Sequence, residues 1–474
     1  MQYRYLFLAI WFLSTSTAAF AQVRTFTLQE AVQTALSNSI GLRKAQQGLA
    51  SQNITIEQNA ASLLPEVHLG ASLNTNFGLS FDNTTGQVGA NTTLNGGTSV
   101  SSSVPIFSGG LWNPLLPWGK KENPAVTQAR QDLTSSQFNL ERTKENLIFS
   151  VVSSFLDLIN NQTQVKILEE NLSAQKQQLV RIQQFVRAGS RSTSDELQQQ
   201  AAIAQAELQL LNTKRAQELS KIRLLQTMQV DPFGQYDFSI PDVNQFKAEF
   251  MRYDVDAMIR QAYQSRNDVK AQQSMIESAK LGIDLARRTT GPSLTLSGSA
   301  GTNYSSLAQK LIQEGSINPP VAPVYGKKGL FEQVIDNRSL GFSLQFGMPI
   351  YDKGQKRRTV QQAQIRYESA LLDLANLEQN IATEIRQSYL DYTSADKELA
   401  TADIQLNYRK QALDLEQNRY NLGASTIYEI TQARAAFLEA QLQRSVALYS
   451  LVFRKQLLEY YVGRLTANSN ILPK

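Results

Sequence analysis

The sequence has no cysteine and a single histidine, His68, so disulfides, thiolate zinc sites, histidine-clustered metal centres and Cys-His nucleophile pairs cannot be assembled from it. Charge is also scarce. Asp, Glu, Lys and Arg make up 18% of the 474 residues, against roughly 25% in ordinary soluble domains, and about fifty glutamines supply polar surface instead. The net charge of +5 is scattered along the chain, which leaves no nucleic-acid footprint. No Gly-rich loop is followed by Lys-Ser or Lys-Thr, so a phosphate-binding loop is excluded. Carboxylates are plentiful, but none has a recognisable nucleophile or acid–base setting. The expectation is a protein that is not an enzyme and carries no metal or cofactor. No apolar run approaches the ~20 residues of a membrane-spanning helix. A membrane would have to be entered without one.

What is present starts with an export signal. Arg4 precedes an apolar stretch, Tyr5 to Leu13, then a Ser/Thr step and the small residues of Ala19-Phe20-Ala21. This predicts a secretory leader cleaved after Ala21. With no cysteine following, a lipid anchor is ruled out.

The mature chain repeats itself at an offset of about 227 to 234 residues. The first repeat spans 22–230 and the second 254–463, separated by a linker at 231–253 with Pro232, Gly234 and Pro241, and followed by a tail at 464–474. Each opens on a helix, with N-caps at Thr27 and Asp254, and each helix runs on to a proline, Pro65 and Pro292. The period then changes to two. Val67, Leu69, Ala71 and Leu73 alternate with His68, Gly70, Ser72 and Asn74, and the alternation recurs at Thr98–Ile106, Leu294–Tyr304 and Leu340–Ile350. These four strands form two long-looped hairpins, about 66–107 and 293–350. Their apolar faces suit either a soluble core or lipid. Strands of about 10 residues fit a membrane, and no amphipathic segment is left over to cover them. Four strands cannot close a barrel, so several copies would have to complete one. His68 falls on the polar face, as a lumen residue would. Trp112 and Trp118, with Pro114 and Pro117, form an insert that suits an interfacial belt or soluble packing.

After the strand exits Pro105-Ile106-Phe107 and Pro349-Ile350-Tyr351, long helices are expected over about 125–188 and 355–422, each roughly 100 Å long. Val151, Leu158, Val165, Leu172, Leu179 and Val186 recur every seven residues, as do Ile385, Tyr392, Leu399, Leu406, Leu413 and Tyr420. That spacing calls for side-by-side helices with a left-handed supercoil. Both helices end at a glycine, Gly189 and Gly423, followed by the capping boxes Ser192-x-x-Asp195 and Thr426-x-x-Glu429. Two helical hairpins result, with tips at 187–195 and 421–429.

The leader, the duplicated order of helix, hairpin and long hairpin, the Pro-Ile-[Phe/Tyr]-x-x-Gly exits and the Gly-tipped turns together resemble the TolC-like outer membrane efflux proteins. The resemblance covers nearly the whole mature chain. It implies a mainly α fold with a β-barrel part: a homotrimer whose twelve strands, four per chain, form one transmembrane barrel in outer membrane lipid, continued by a periplasmic α-barrel. It implies an exit duct for a periplasmic adaptor and an inner-membrane pump, in a Gram-negative cell, and no nucleic-acid partner. An exported coiled-coil or adhesion protein without channel activity is the alternative.

Family members narrow at the periplasmic tips, and the narrowing maps onto Tyr420, Ser194, Asp195 and Glu429. Two positions depart from the pattern: Ser425 stands where an arginine is usual and Gln432 where a second acid is, with Arg187 and Arg191 as cations that could substitute. The resemblance also implies that the tip residues Arg187, Gly189, Ser190, Arg191, Gly423 and Ala424 meet the adaptor. Beside these roles stand local ones: Tyr420 closes the heptad stripe as a core residue, and Asp195 and Glu429 cap helices. Three Glu429 residues ringing a constriction would raise one another's pKa.

Overall fold

A computed structural model describes residues 24–82, 87–90, 93–109, 111–116, 123–239, 253–288, 291–317 and 319–464. The leader with its cleavage site, Pro117 and Trp118, linker residues 240–252 and the tail from 465 lie outside the described residues. In chain order the elements are β1 (Arg24–Phe26), α1 (Leu28–Asn38), α2 (Ile40–Ala61), β2 (Glu66–Asn76), β3 (Leu79–Asp82), β4 (Gln87–Ala90), β5 (Thr93–Ser108), β6 (Leu111–Trp112), α3 (Pro124–Arg187) and α4 (Thr193–Met228). Then follow β7 (Tyr236–Phe238), α5 (Val255–Ser265), α6 (Asn267–Arg288), β8 (Ser293–Ser305), β9 (Gln309–Gln313), β10 (Ser316–Ile317), β11 (Pro320–Val321), β12 (Val324–Lys327), α7 (Leu330–Asp336), β13 (Ser339–Gly347), α8 (Gln355–Asn421) and α9 (Ile427–Val462). The fold is mainly helical. It divides into two compact units, one of residues up to Leu49, Ser135–Gln273 and from Asp373, the other of Ala50–Thr134 and Ser274–Leu372.

In the first unit the heptad stripes do what their period requires. Val151 and Leu158 of α3 and Ile385 of α8 are fully buried, Tyr392 nearly so, and no stripe member on either helix is exposed. One apolar core gathers Phe155, Leu158 and Ile159 with Leu224, Leu225 and Met228 of α4 and Ala31 and Val32 of α1. A second packs Met258, Ile259 and Ala262 of α5 on Ile381, Ile385 and Tyr392, closed by Leu458 and Val462 of α9. The linker contributes β7, which pairs in parallel with β1 and stacks Phe238 on Phe26 at 5.9 Å.

Two expected helices are each broken. The chain turns extended at Ser39, between α1 and α2, and at Arg266, between α5 and α6, positions 227 apart. Neither break has a Pro or Gly. At the first, Ser39 Oγ accepts from Leu42 N–H and restarts the helix as a cap. At the second, the Arg266 side chain is held by tertiary partners.

The second unit is built on an antiparallel sheet in the order β2, β5, β8, β13, with β6 adding two residues against the end of β5. Its register sorts the faces. Leu69, Val100, Ala300 and Leu340 lie in one row, while His68, Ser101, Ser299 and Gly341 form a row on the other face. The apolar face is bare: Leu69 is 80% exposed and Phe342 77%. The strand loops are not irregular throughout. Within the first, β3 pairs with β4; the second holds β9 paired with β12, β10 with β11, and α7, whose buried Gln333 bonds Ser305 N–H and the carbonyls of Ser305 and Lys328. At the strand exit, Asn113 is buried, donating to Leu63 and Pro105 carbonyls and accepting from Leu115 N–H. Trp112 lies against Phe107 at 5.1 Å and stays 44% exposed.

Gly109 closes that exit. Its φ is +56° and a Cβ there would strike the Arg288 carbonyl, while its N–H donates to Pro292 O at 3.1 Å. Gly109→Ala is therefore expected to lower the melting temperature of the purified chain. The left-handed φ alone costs about 1–2 kcal/mol, and the clash with backbone adds to it.

Candidate functional site

The tips are made by local rules. α3 stops because Gly189 takes φ +70°, with Ser190 N–H bonding Phe185 O at 2.9 Å and Gly189 N–H bonding Val186 O at 3.0 Å. The second tip repeats this: Gly423 has φ +77°, Ala424 N–H bonds Arg419 O at 2.8 Å, and Gly423 N–H bonds Tyr420 O at 3.1 Å. A Cβ on either glycine would meet nothing within 4 Å, so the dihedral, and not space, demands glycine.

The expected capping boxes differ. Thr426 and Glu429 form one in full: Thr426 Oγ1 accepts from Glu429 N–H at 3.3 Å and Glu429 Oε2 accepts from Thr426 N–H at 2.7 Å. At the first tip Ser192 Oγ accepts instead from Ser194 N–H at 3.1 Å, and the reciprocal bond from Asp195 is not made. Asp195 stays half-buried beside Tyr420, where its charge helps raise the phenol.

Ser425 is buried between two carboxylates. Its Oγ lies 2.8 Å from Glu416 Oε2 and 2.9 Å from Glu429 Oε2, and Glu416 in turn pairs with Arg419 at 2.7 Å. Within one chain the Glu429 carboxyl is pulled below its usual range, first by the Thr426 N–H, then by the Ser425 and Thr426 hydroxyls. This is opposite in direction to the rise that a ring of crowded carboxylates would cause. The sequence signal for Glu416 and Arg419 is an acid and a base three apart near the end of α8.

Arg191 joins the two tips. Its guanidinium sits 4.3 Å from the centre of the Tyr420 ring, and Nη2 donates to Tyr420 O at 2.8 Å. Tyr420 is buried with Ile182, Ile427 and Ile430. Its hydroxyl has no hydrogen-bond partner among the described residues, and burial pushes the phenol up. The structure thus brings Arg191 and Asp195 to Tyr420, and separately brings Ser425 to Glu429 and Glu416. Arg187, Ser194 and Gln432 are exposed and belong to neither group; Ser190 and Ala424 are exposed at the turns.

Among the described residues no helix is long and apolar enough to cross a membrane; the exposed apolar face belongs to the sheet. A sequence profile described as outer membrane efflux protein matches residues 31–228 and 258–464. The outer membrane protein TolC of Vibrio cholerae is 22% identical over 435 residues, which is 89% of this chain and 86% of that protein. The pyoverdine export outer membrane protein OpmQ of Pseudomonas aeruginosa is 23% identical over 439 residues, 89% of this chain and 84% of that one. Among solved structures, the outer membrane protein VceC of Vibrio cholerae superposes with a TM-score of 0.68 at 16% identity, covering 92% of this chain and 96% of that one.

Proposed function

The chain belongs to the outer membrane efflux protein family, and from that premise we propose that it is the outer-membrane exit duct of a tripartite efflux or secretion system. Three copies would each contribute four strands to a twelve-stranded barrel in outer membrane lipid, with the helical hairpins continuing as a periplasmic α-barrel. The leader would be removed after Ala21, the repeats 22–230 and 254–463 would build the wall, and 231–253 would form a band between them. A periplasmic adaptor would meet the tips at Arg187, Gly189, Ser190, Arg191, Gly423 and Ala424, and an inner-membrane pump would supply the energy. Tyr420, Arg191, Asp195, Ser425 and Glu429 would narrow the tube at its periplasmic end.

One observation carries this reading: a four-stranded sheet whose register puts its large apolar side chains on one bare face, with β2 and β13 as open edges. In water such a face and such edges invite aggregation; in lipid the face is at home, and pairing of β13 with β2 of the next copy removes every edge. An adhesive rod has no use for either.

The test is reconstitution of the purified chain in planar bilayers beside a mass measurement in detergent. Discrete conductance steps and a mass of three chains are expected; a monomer that passes no current rejects the duct. Photo-crosslinkers at Ser190 and Ala424 in intact cells are expected to capture an adaptor.

A further inference from the structure

A cavity of about 220 Å³ lies among α3, α4 and α9, with Asn171, Gln175, Gln199 and Arg434 in its wall. That is about seven times the ~30 Å³ that a water molecule occupies in the liquid. Its polar lining is under-used. Asn171 Nδ2 and Gln175 Oε1 are buried and have no hydrogen-bond partner among the described residues, and Gln175 as a whole is 9% exposed. Arg434 is the charged residue of the wall, and among the described residues its one hydrogen bond is a 3.3 Å contact from Nη2 to Gln417 Oε1 on α8. No carboxylate pairs with it among the described residues. Burial and the nearby charge of Arg181 both press its pKa down. A guanidinium nevertheless keeps its proton in a protein. The result is a partly desolvated cation with unused donors, a second cation near it, and an orphan amide donor in the same wall.

We propose that this cavity is a binding site for a small oxyanion of the hydrogen-phosphate class, held on the Arg434 guanidinium. The planar fork of arginine matches two oxygens of such an anion. Asn171 Nδ2 supplies a further donor, and Arg181 adds attraction from α3. Gln175 Oε1 is an acceptor, which suits an anion that still carries an O–H. Because Arg434 reaches α8 through Gln417, a bound anion ties the helices that form the cavity to the helix that carries Tyr420. The site is assembled within one chain and does not rest on the duct reading.

The test is thermal unfolding of the purified full chain in detergent at pH 7 and constant ionic strength, with sodium chloride replaced stepwise by sodium phosphate. Wild type is expected to show a saturable rise in melting temperature, as a ligand specific for the folded state must produce. Arg434→Gln is expected to abolish the rise while being at least as stable as wild type in chloride alone, since it removes an unpaired charge. Arg444→Gln, which removes a surface cation paired with Asp403, should keep the rise. If Arg434→Gln does not fold, Asn171→Ala makes the same comparison, with a midpoint shifted at least about 10-fold to higher phosphate for one lost bond to a charged group. No rise in wild type, a rise that never saturates, or a rise in Arg434→Gln or Asn171→Ala equal to that of wild type overturns the proposal.

Discussion

Arg266→Met is expected to destabilise the protein by roughly 3–5 kcal/mol, the cost of breaking a buried ion pair from one side. Arg266 is 3% exposed at the break between α5 and α6. Its guanidinium donates to both Asp268 oxygens, at 3.0 and 2.6 Å, and Nη1 reaches Glu384 Oε2 at 3.4 Å and the Tyr461 carbonyl at 3.2 Å. Without it Asp268 keeps one cation, Arg142, at 3.5 Å. Arg142 is already engaged, pairing with Glu145 at 3.0 Å and lying over the Tyr460 ring at 4.5 Å. Replacing Asp268 as well by a neutral apolar residue should recover much of the loss, because the remaining buried charge goes with it. Denaturant midpoints of the single and double variants check this; equal midpoints would show that the variant carboxylate finds water instead.

The same pair sets an acid limit. Burial by itself would raise the Asp268 carboxyl, but the hydrogen bond and charge of Arg266, with Arg142 behind them, outweigh it and hold it below the usual range. A carboxyl depressed in the folded state contributes stability that is complete above its unfolded pKa of ~3.9 and is lost as pH falls through the lower folded value. Wild type should therefore hold its melting temperature down to about pH 4 as far as this group is concerned. In Arg266→Met the depression shrinks, so this contribution is smaller at neutral pH, and its loss, which still begins at the unfolded pKa, is complete at a higher pH than in wild type.

The long helices and strands were legible because each obeys a short period. Val151 to Val186 and Ile385 to Tyr420 specify a seam without reference to anything distant, and Leu69 against Gly70 specifies a face. The breaks at Ser39 and Arg266 were not legible. Asn-Ser-Ile holds only a cap hydroxyl, Ser39 Oγ on Leu42 N–H, which a serine inside a helix would match in sequence; Arg266 is extended where its guanidinium meets Glu384 and the Tyr461 carbonyl, more than a hundred residues on. β7 escaped notice for the same reason, since three residues become a strand only by pairing with Arg24–Phe26. At the tips the turn glycines and the Thr426 box could be read. The Ser192 box could not be distinguished from it, because both satisfy the same spacing and differ only in which N–H the cap hydroxyl takes, Ser194 at the first tip and Glu429 at the second. In sequence Ser425 is only a departure from the arginine that the resemblance leads one to expect, and its setting between two carboxylates needs the positions of Glu416 and Glu429.

On the duct reading, Arg191→Ala is expected to open the tip. The guanidinium contributes a cation–π contact of about 0.5–2 kcal/mol and a charged hydrogen bond of about 1.5–3 kcal/mol, less the entropy of holding a long side chain. A net loss of about 2 kcal/mol per chain shifts the closed-to-open ratio about 30-fold, visible in planar bilayers as longer openings. Arg187→Ala removes an exposed cation two positions before Gly189 and should change nothing. Tyr420→Phe separates two explanations. The phenol hydroxyl bonds to nothing among the described residues, so the ring and the backbone carbonyl are what Arg191 holds, and the Tyr420→Phe variant should gate like wild type. Tyr420→Ala removes both the ring face and a buried member of the Ile182–Ile427–Ile430 cluster, and should open the tip as far as Arg191→Ala or further. If Tyr420→Phe opened the tip and Arg191→Ala did not, the hydroxyl would be making its decisive contact with another copy, and the latch would lie between chains instead of between the two hairpins of one.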